Sequence, residues 1–108
     1  MQEVSKTTSV DMLLKIFAYL KTLEIDYGYA EEDDGTVSCW SYIPNFTENE
    51  PTLQDCLKSL CASLRDRAYE YMSDFDLWVK GCPAELPYII KILLSSDEEL
   101  IQCLHGKN

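Results

Sequence analysis

The residues best suited to chemistry in this 108-residue chain are carboxylates crowded into one segment. Nine of its nineteen acidic residues lie between Thr22 and Leu57, a stretch without a single Lys, Arg or His. Carboxylates at such density can catalyse proton transfer, hold calcium or attract a basic partner. The most closely spaced of them are Glu24, Asp26, Glu31, Glu32, Asp33 and Asp34.

Neither catalysis nor calcium binding fits this acidic segment. The run from Glu31 to Gly35 is typical of an exposed turn, and burial is what raises a carboxyl pKa into the range that proton transfer near neutral pH requires. The run also lacks the alternating acidic spacing and the closing Glu of a calcium loop. We therefore predict that the protein is not an enzyme and has no catalytic residues.

Cysteine and histidine spacing argues against a metal site. There is no C-x-x-C pair, and the single histidine, His105, lies close to the last residue. With four glycines the chain has no Gly-rich phosphate loop. We predict no metal and no cofactor, and we expect five free thiols because an odd number cannot all pair internally. The cysteines are Cys39, Cys56, Cys61, Cys82 and Cys103.

Aromatic residues are interleaved with the acidic segment, which favours partner binding. A one-sided anionic field steers a basic surface, and large amphipathic rings such as Trp40 and Tyr42 supply desolvated contacts. We predict that Glu24, Asp26, Glu31, Glu32, Asp33, Asp34, Trp40 and Tyr42 bind a basic protein. The alternative is that an acidic turn only keeps the chain soluble.

A second aromatic group lies in the C-terminal half. Most of its members are expected to pack the joint between a long helix and the helices that follow it. Trp78, directly before the break at Gly81 to Pro83, is predicted to be the exception and to bind the partner as well. The other members are Tyr69, Tyr71, Phe75 and Tyr88.

Charge and hydropathy narrow the class of protein further. A net charge of −10 argues against nucleic acid as a ligand of this chain alone, since phosphate contacts require clustered Lys and Arg. There is no apolar run long enough to span a membrane, and residues 1–6 lack the basic-then-apolar order of a signal peptide. The sequence therefore predicts a cytoplasmic protein that binds no membrane.

Periodicity predicts an N-terminal helix over residues 9–23, capped by Ser9 and preceded by a flexible segment at residues 1–8. Its apolar stripe is broader than one small sheet can cover. We therefore predict a homodimer whose interface includes Phe17 and Tyr19.

The remainder of the chain predicts a sheet and then helices. Residues 24–48 alternate as a β-hairpin around Asp33 to Gly35, with a possible third strand near Phe46. Residues 52–105 read as helical, with Thr52 and Ser96 as N-caps and Gly106 as the final C-cap. The predicted fold is a single α+β domain over residues 1–108, with an N-terminal helix and a small antiparallel sheet covered by C-terminal helices.

Short motifs in the C-terminal half resemble those of a known family. The chain reads Tyr69-x-Tyr71, Asp74-Phe75-x-Leu77-Trp78, Leu86-Pro87-Tyr88-x-x-Lys91-x-Leu93-Leu94 and Cys103-x-x-Gly106-Lys107-Asn108. Over residues 9–108 it resembles small bacterial antitoxins of the RelB and prevent-host-death types, and its hairpin half is similar to HicB-type antitoxins.

The resemblance implies a non-catalytic inhibitor that binds a basic ribonuclease-type toxin. It also implies that the antitoxin represses its own operon by binding DNA. This chain differs from such antitoxins because it has no recognisable helix-turn-helix or basic N-terminal cluster. Two alternatives stay open: a phage-type DNA mimic that blocks a nuclease or restriction enzyme, and a homo-oligomeric structural module. Carboxylates in rows at phosphate spacing would favour the DNA mimic.

Overall fold

The computed structural model describes residues 6–106, and their side chains from Ser9 onward. The predicted α+β class is confirmed, with an N-terminal helix, a sheet and C-terminal helices in that order. The elements are α1 (Lys6–Lys21), β1 (Ile25–Glu31), β2 (Val37–Ser41), β3 (Thr47–Glu50), α2 (Leu53–Ser73), α3 (Phe75–Gly81), a 3-10 turn (Pro83–Glu85), α4 (Leu86–Leu94), α5 (Asp97–Gln102) and β4 (Leu104–Gly106).

The predicted hairpin and third strand form three antiparallel strands. Strand β2 lies between β1 and β3, and the sheet order is β3-β2-β1-β4. The turn between β1 and β2 depends on Gly35, whose φ of 87° lies in the left-handed region that only glycine adopts at low cost. The amide of Gly35 donates to the carbonyl of Glu32 over 3.0 Å, which closes the turn.

The fourth strand corrects the prediction for the C-terminal end. Residues 104–106 were expected to complete the last helix, with Gly106 as its C-cap, but α5 ends at Gln102 and these residues form β4. Strand β4 lies parallel to β1, with Leu104 opposite Ile25 and Gly106 opposite Tyr27. The sheet is therefore mixed. The physical reason is that β4 satisfies the backbone groups along the edge of β1, a long-range pairing with no local sequence signal.

Helix α2 packs against one face of the sheet and carries most of the core. It begins as predicted, with the Thr52 hydroxyl accepting from the amide of Asp55 over 3.1 Å. The Cys56 thiol donates to the carbonyls of Val37 and Glu48, which joins the helix to both β2 and β3. Buried side chains of this core include Ile25, Cys39, Cys56, Leu60, Leu64, Ala68, Tyr71, Ile89, Ile92 and Leu100.

Helix α1 is attached to the body at its C-terminal end. Leu20 is buried, and the ammonium of Lys91, only 4% exposed, donates to the carbonyl of Lys21. A cation at the last carbonyls of a helix satisfies an unpaired acceptor and offsets the negative end of the helix dipole. Lys91 therefore holds the end of α1 against α4.

The start of α1 was predicted incorrectly. Ser9 was expected to cap the helix, but the helix is already formed at Lys6, so Ser9 lies inside it. Of the segment predicted to be flexible, residues 1–5 lie outside the described residues and residues 6–8 are helical. Ser9 was mistaken for a cap because a serine favours both caps and exposed positions within a helix.

The five cysteines are free thiols, and we expect their reactivity to follow burial. Burial raises the pKa of the Cys61 thiol to about 12 and also raises that of Cys39, and the thiolate is the reactive form. After purification without reductant, mass spectrometry should find five free thiols. Iodoacetamide should modify Cys39 and Cys61 only after unfolding. An internal disulfide that the fold requires would contradict this prediction.

Candidate protein-binding surfaces

The carboxylates Glu31, Glu32, Asp33 and Asp34 lie at the exposed tip of the hairpin. Asp34 accepts hydrogen bonds from the hydroxyl of Thr36 over 2.6 Å and from its backbone amide over 3.0 Å. These bonds, the hydroxyl contributing most, hold the pKa of Asp34 below its ordinary value because they favour the ionised form. The tip therefore presents four carboxylates to solvent, and the Asp34 carboxylate among them is held in place by Thr36.

Strand alternation places the predicted aromatic residues on the sheet face opposite α2. Val37, Cys39 and Ser41 are buried, whereas Trp40 between them is half-buried. The Trp40 indole lies across Gly28, where an added Cβ would approach the ring to 2.6 Å. Its Nε1 donates to the hydroxyl of Tyr42 over 3.2 Å. The structure thus joins Trp40 and Tyr42 on one outer face.

His105 lies beside the acidic segment, at the end of the hairpin opposite its turn, although the two are far apart in sequence. Strand β4 brings His105 opposite Asp26, with 3.1 Å between His105 Nδ1 and Asp26 Oδ1. Glu24 lies 3.7 Å from the same nitrogen. Among the described side chains, no Lys, Arg or His forms an ion pair with the hairpin tip, whereas Glu24 and Asp26 lie beside His105. The signal was missed because the two segments are far apart in sequence.

The carboxylates of β3 face inward rather than toward a partner. Glu48 accepts a hydrogen bond from the Ser63 hydroxyl of α2, and Glu50 accepts one from the Ser59 hydroxyl. Both are half-buried between the sheet and α2. The outward-facing field is therefore concentrated at the hairpin tip, and β3 does not extend it into a row.

Trp78 is packed within the helical joint instead of lying beside the hairpin tip. Its ring stacks on Tyr71 with centroids 6.1 Å apart. The guanidinium carbon of Arg67 lies 4.7 Å from the Trp78 ring centre and 5.3 Å from that of Phe46. Trp78 is half-buried and contacts the core, so the structure gives it a packing role.

We expect Trp78→Ala to destabilise the fold. The change removes the stacked contact with Tyr71 and one side of the Arg67 site, and truncation of a half-buried aromatic costs on the order of 2 kcal/mol. Thermal melting beside a binding assay separates packing from partner contact. An unchanged melting temperature with faster dissociation of the partner would show that Trp78 is an interface anchor instead.

Helix α1 forms a second surface, which is apolar. Its side chains between residues 9 and 19 are exposed, and the large apolar ones range from 38% at Phe17 to 65% at Tyr19. The radius of gyration of 16.7 Å exceeds the roughly 13 Å of a compact domain of this size, in keeping with a helix that projects from the body. The exposed apolar residues of α1 are Val10, Met12, Leu13, Leu14, Ile16, Phe17 and Tyr19.

Among residues 6–106, no helix is both long and apolar enough to cross a membrane. In the same part of the chain, no group of three or more His, Cys, Asp and Glu side chains has the arrangement of a metal site. An exposed acidic tip and a contiguous apolar helix on a small α+β domain are together typical of proteins that act by binding other proteins.

Comparison with known proteins identifies the family. Residues 2–105 match the PHD-like family, described as the antitoxin of RelE/RelB toxin–antitoxin systems. The chain therefore belongs to this antitoxin family, which confirms the resemblance found in its motifs. Its fold is also similar to a crystal structure from Syntrophomonas wolfei subsp. wolfei, described as the antitoxin part of a proposed toxin/antitoxin system. The two share 25% identity with a TM-score of 0.79, and the match covers 87% of this chain and 70% of the other. A search of curated proteins found no match.

Proposed function

We propose that this antitoxin neutralises a basic ribonuclease-type toxin by binding it, without catalysing a reaction. The observation that carries the proposal is the exposed hairpin tip, where Glu31, Glu32, Asp33 and Asp34 place four charges on consecutive residues. Such a field accelerates encounter with a basic protein. Trp40 and Tyr42, on the outer face of the same hairpin, supply amphipathic contact area, and Glu24 and Asp26 extend the acidic surface to its foot.

The arrangement of carboxylates favours this proposal over a DNA mimic. A DNA mimic needs carboxylates spaced along its surface as phosphates are spaced along DNA. In this protein the outward-facing carboxylates cluster at one turn, and Glu48 and Glu50 face α2. Membership of an antitoxin family likewise favours an inhibitor over a purely structural module. We therefore propose that the protein inhibits a toxin and that it does so in the cytoplasm.

Co-expression with the neighbouring gene tests the proposal. We expect that gene to encode a short basic protein that arrests growth when expressed alone and degrades RNA. Expression of this chain should restore growth, and the two proteins should co-purify in a complex that dissociates as salt rises. A neighbouring product that is acidic, or growth arrest that persists with both proteins expressed, would contradict it.

We further propose that the antitoxin is a homodimer through α1. Helix α1 carries exposed apolar side chains around most of its circumference. A partner that buries them must therefore cover a broad apolar surface of the helix. Its polar residues Asp11 and Lys15 lie on one side at helical spacing together with the small Ala18, which leaves Phe17 and Tyr19 for the contact. A second copy of the same helix supplies a matching apolar surface in a closed two-fold pair.

A further inference from the structure

A groove lies on the body of the protein between α2 and α5, with a volume of 440 Å³. Its apolar lining comes from Cys61, Ala62 and Ile101, and Ile101 is 36% exposed there. The volume is within the range of sites that bury small ligands or anchoring side chains. A groove between two helices with an apolar lining suits the apolar face of a further helix.

The charged residues that line this groove differ in whether they already have a partner. Arg65 donates to the carboxylate of Asp97 over 2.8 Å, so these two charges offset each other. Lys58 and Asp66 lie on α2 about one turn to either side of Ala62 and also line the groove. Within the described part of the chain, neither of them forms an ion pair. The groove therefore offers one cation and one anion to an occupant.

The exposed apolar side chains of α1 form two stripes. Consecutive residues of a helix are turned by about 100° from each other, so Phe17 and Tyr19 point about 160° apart. Tyr19 lies in line with Met12 and Ile16 at helical spacing, whereas Phe17 lies in line with Val10 on the other side. All five side chains are at least 38% exposed. Because one partner helix covers only one stripe, a dimer that uses both Phe17 and Tyr19 needs a second contact.

One contact between two helices is also too small for a stable dimer. The 16 residues of α1 form a cylinder about 24 Å long and about 10 Å wide, so one side of it has a footprint of roughly 240 Å². A stable interface takes about 800 Å² from each partner. A dimer through α1 must therefore bury a further surface of each copy.

The groove lies close to the base of the projecting helix. Lys21, at the end of α1, forms an ion pair of 3.7 Å with Glu99 of α5. Glu99 is two residues from both Asp97 and Ile101, which places it on the side of α5 opposite the groove. The helix of the same copy therefore starts on the far side of α5 and projects away from its own groove. When two copies of α1 pair antiparallel about a two-fold axis, the free end of each helix reaches the base of the other.

We propose that the groove between α2 and α5 receives the free half of α1 from a second copy, so that the two copies exchange their N-terminal helices. The inference rests on the proposed homodimer and supplies its second contact. Met12 and Ile16 of one copy enter the groove of the other and pack against Ala62 and Ile101. The stripe that contains Phe17 packs against the α1 of the partner.

Charges beside the groove complement charges beside the inserted stripe. Asp11 and Lys15 lie one turn apart on α1, at the flank of that stripe, and neither forms an ion pair within the described part of the chain. In the exchanged dimer Asp11 faces Lys58 and Lys15 faces Asp66. Exposed pairs of this kind add little affinity but fix the register of the inserted helix.

The exchange is tested by sedimentation equilibrium of the full-length protein without the toxin. Ala62→Glu places a carboxylate in the apolar groove and should raise the dimer dissociation constant at least about tenfold, because the charge loses its hydration there. Met12→Glu should have the same effect from the side of α1. Ala84→Glu, at an exposed position in the turn before α4, is the matched control and should leave the dissociation constant unchanged. Thermal melting shows that each variant is folded.

A charge exchange identifies the residues that meet. Asp11→Lys alone or Lys58→Glu alone should raise the dimer dissociation constant about threefold, because like charges then face each other across the groove. The double variant should return to the wild-type value, since the opposite charges are again paired. Both positions are exposed, so these variants should fold even if Ala62→Glu does not.

The outcomes separate the exchange from the homodimer itself. A wild-type monomer would refute both. A dimer that Phe17→Glu dissociates but Ala62→Glu leaves intact would overturn the exchange alone, as would equal weakening by Ala84→Glu. Failure of Asp11→Lys to restore the dimer of Lys58→Glu would also overturn it, because the two residues would then not meet. None of these measurements needs the toxin, so the growth-rescue test of toxin inhibition is judged by itself.

Discussion

Replacing Glu31 and Glu32 with Gln and Asp33 and Asp34 with Asn should slow capture of a basic toxin by about tenfold or more. The four side chains are exposed, so their charges act by attracting the partner from a distance and add little to the final contact. Asn at position 34 keeps the oxygen that accepts from Thr36, so the turn should form as before. Stopped-flow association measured across a salt series checks the prediction, since the difference should shrink as salt rises.

A matched control separates the local field from net charge. Asp66→Asn, Glu70→Gln, Asp76→Asn and Glu98→Gln together remove the same number of charges from exposed helical positions. This control should change association much less than the hairpin variant, and both should melt near the wild-type temperature because exposed positions make few buried contacts. Equal slowing by the two variants would mean that only total charge matters. No slowing by the hairpin variant would mean that the tip is a solvated surface without a role in capture.

Phe17→Glu should convert a dimer into a monomer. A carboxylate placed in an apolar interface loses its hydration without gaining a partner, which should raise the dimer dissociation constant on the order of 100-fold. Tyr19→Glu should act in the same direction. Sedimentation equilibrium at micromolar concentration checks both variants, in the absence of toxin so that no other protein covers α1.

Ala18→Glu is the matched control for the dimer prediction. It introduces the same charge on the same helix, at an exposed position on the side that carries Asp11 and Lys15. This variant should remain dimeric. A wild-type protein that sediments as a monomer at micromolar concentration would refute the dimer. If the Ala18 variant dissociates as readily as the Phe17 variant, the interface does not lie on the apolar side of α1.

Local sequence chemistry was sufficient to predict most of the elements. Thr52 and Ser96 were recognised as caps because a side-chain oxygen followed three residues later by an acidic residue marks a helix start, and both cap bonds are present. The turn at Gly35 followed from its need for a positive φ. The strand around Trp40 followed from β-branched and aromatic residues in alternation. Each of these signals depends on residues that are neighbours along the chain.

The parts of the candidate site that sequence did not predict depend on distant contacts. His105 lies beside Asp26 only because β4 pairs with β1. Glu48 and Glu50 belong to the same stretch without Lys, Arg or His as the hairpin acids, and only the packing of α2 turned them toward serine hydroxyls. An aromatic ring before a Gly-Cys-Pro break has the same local pattern whether it is packed or exposed, so the contacts of Trp78 with Tyr71 and Arg67 could not be predicted from the sequence.

The sequence by itself determined the acidic character of the protein, the order of helix, sheet and helices, and the position of the charged tip, because these follow from composition, short-range periodicity and turn chemistry. Tertiary structure alone decided which carboxylates face outward, which aromatic rings are packed, and which strand pairs with β1. These features require residues far apart in sequence to meet, as Phe46, Arg67 and Trp78 do in the helical joint. Such meetings are fixed by the packing of α2, α3 and α4 against the sheet and its loops, which no local pattern encodes.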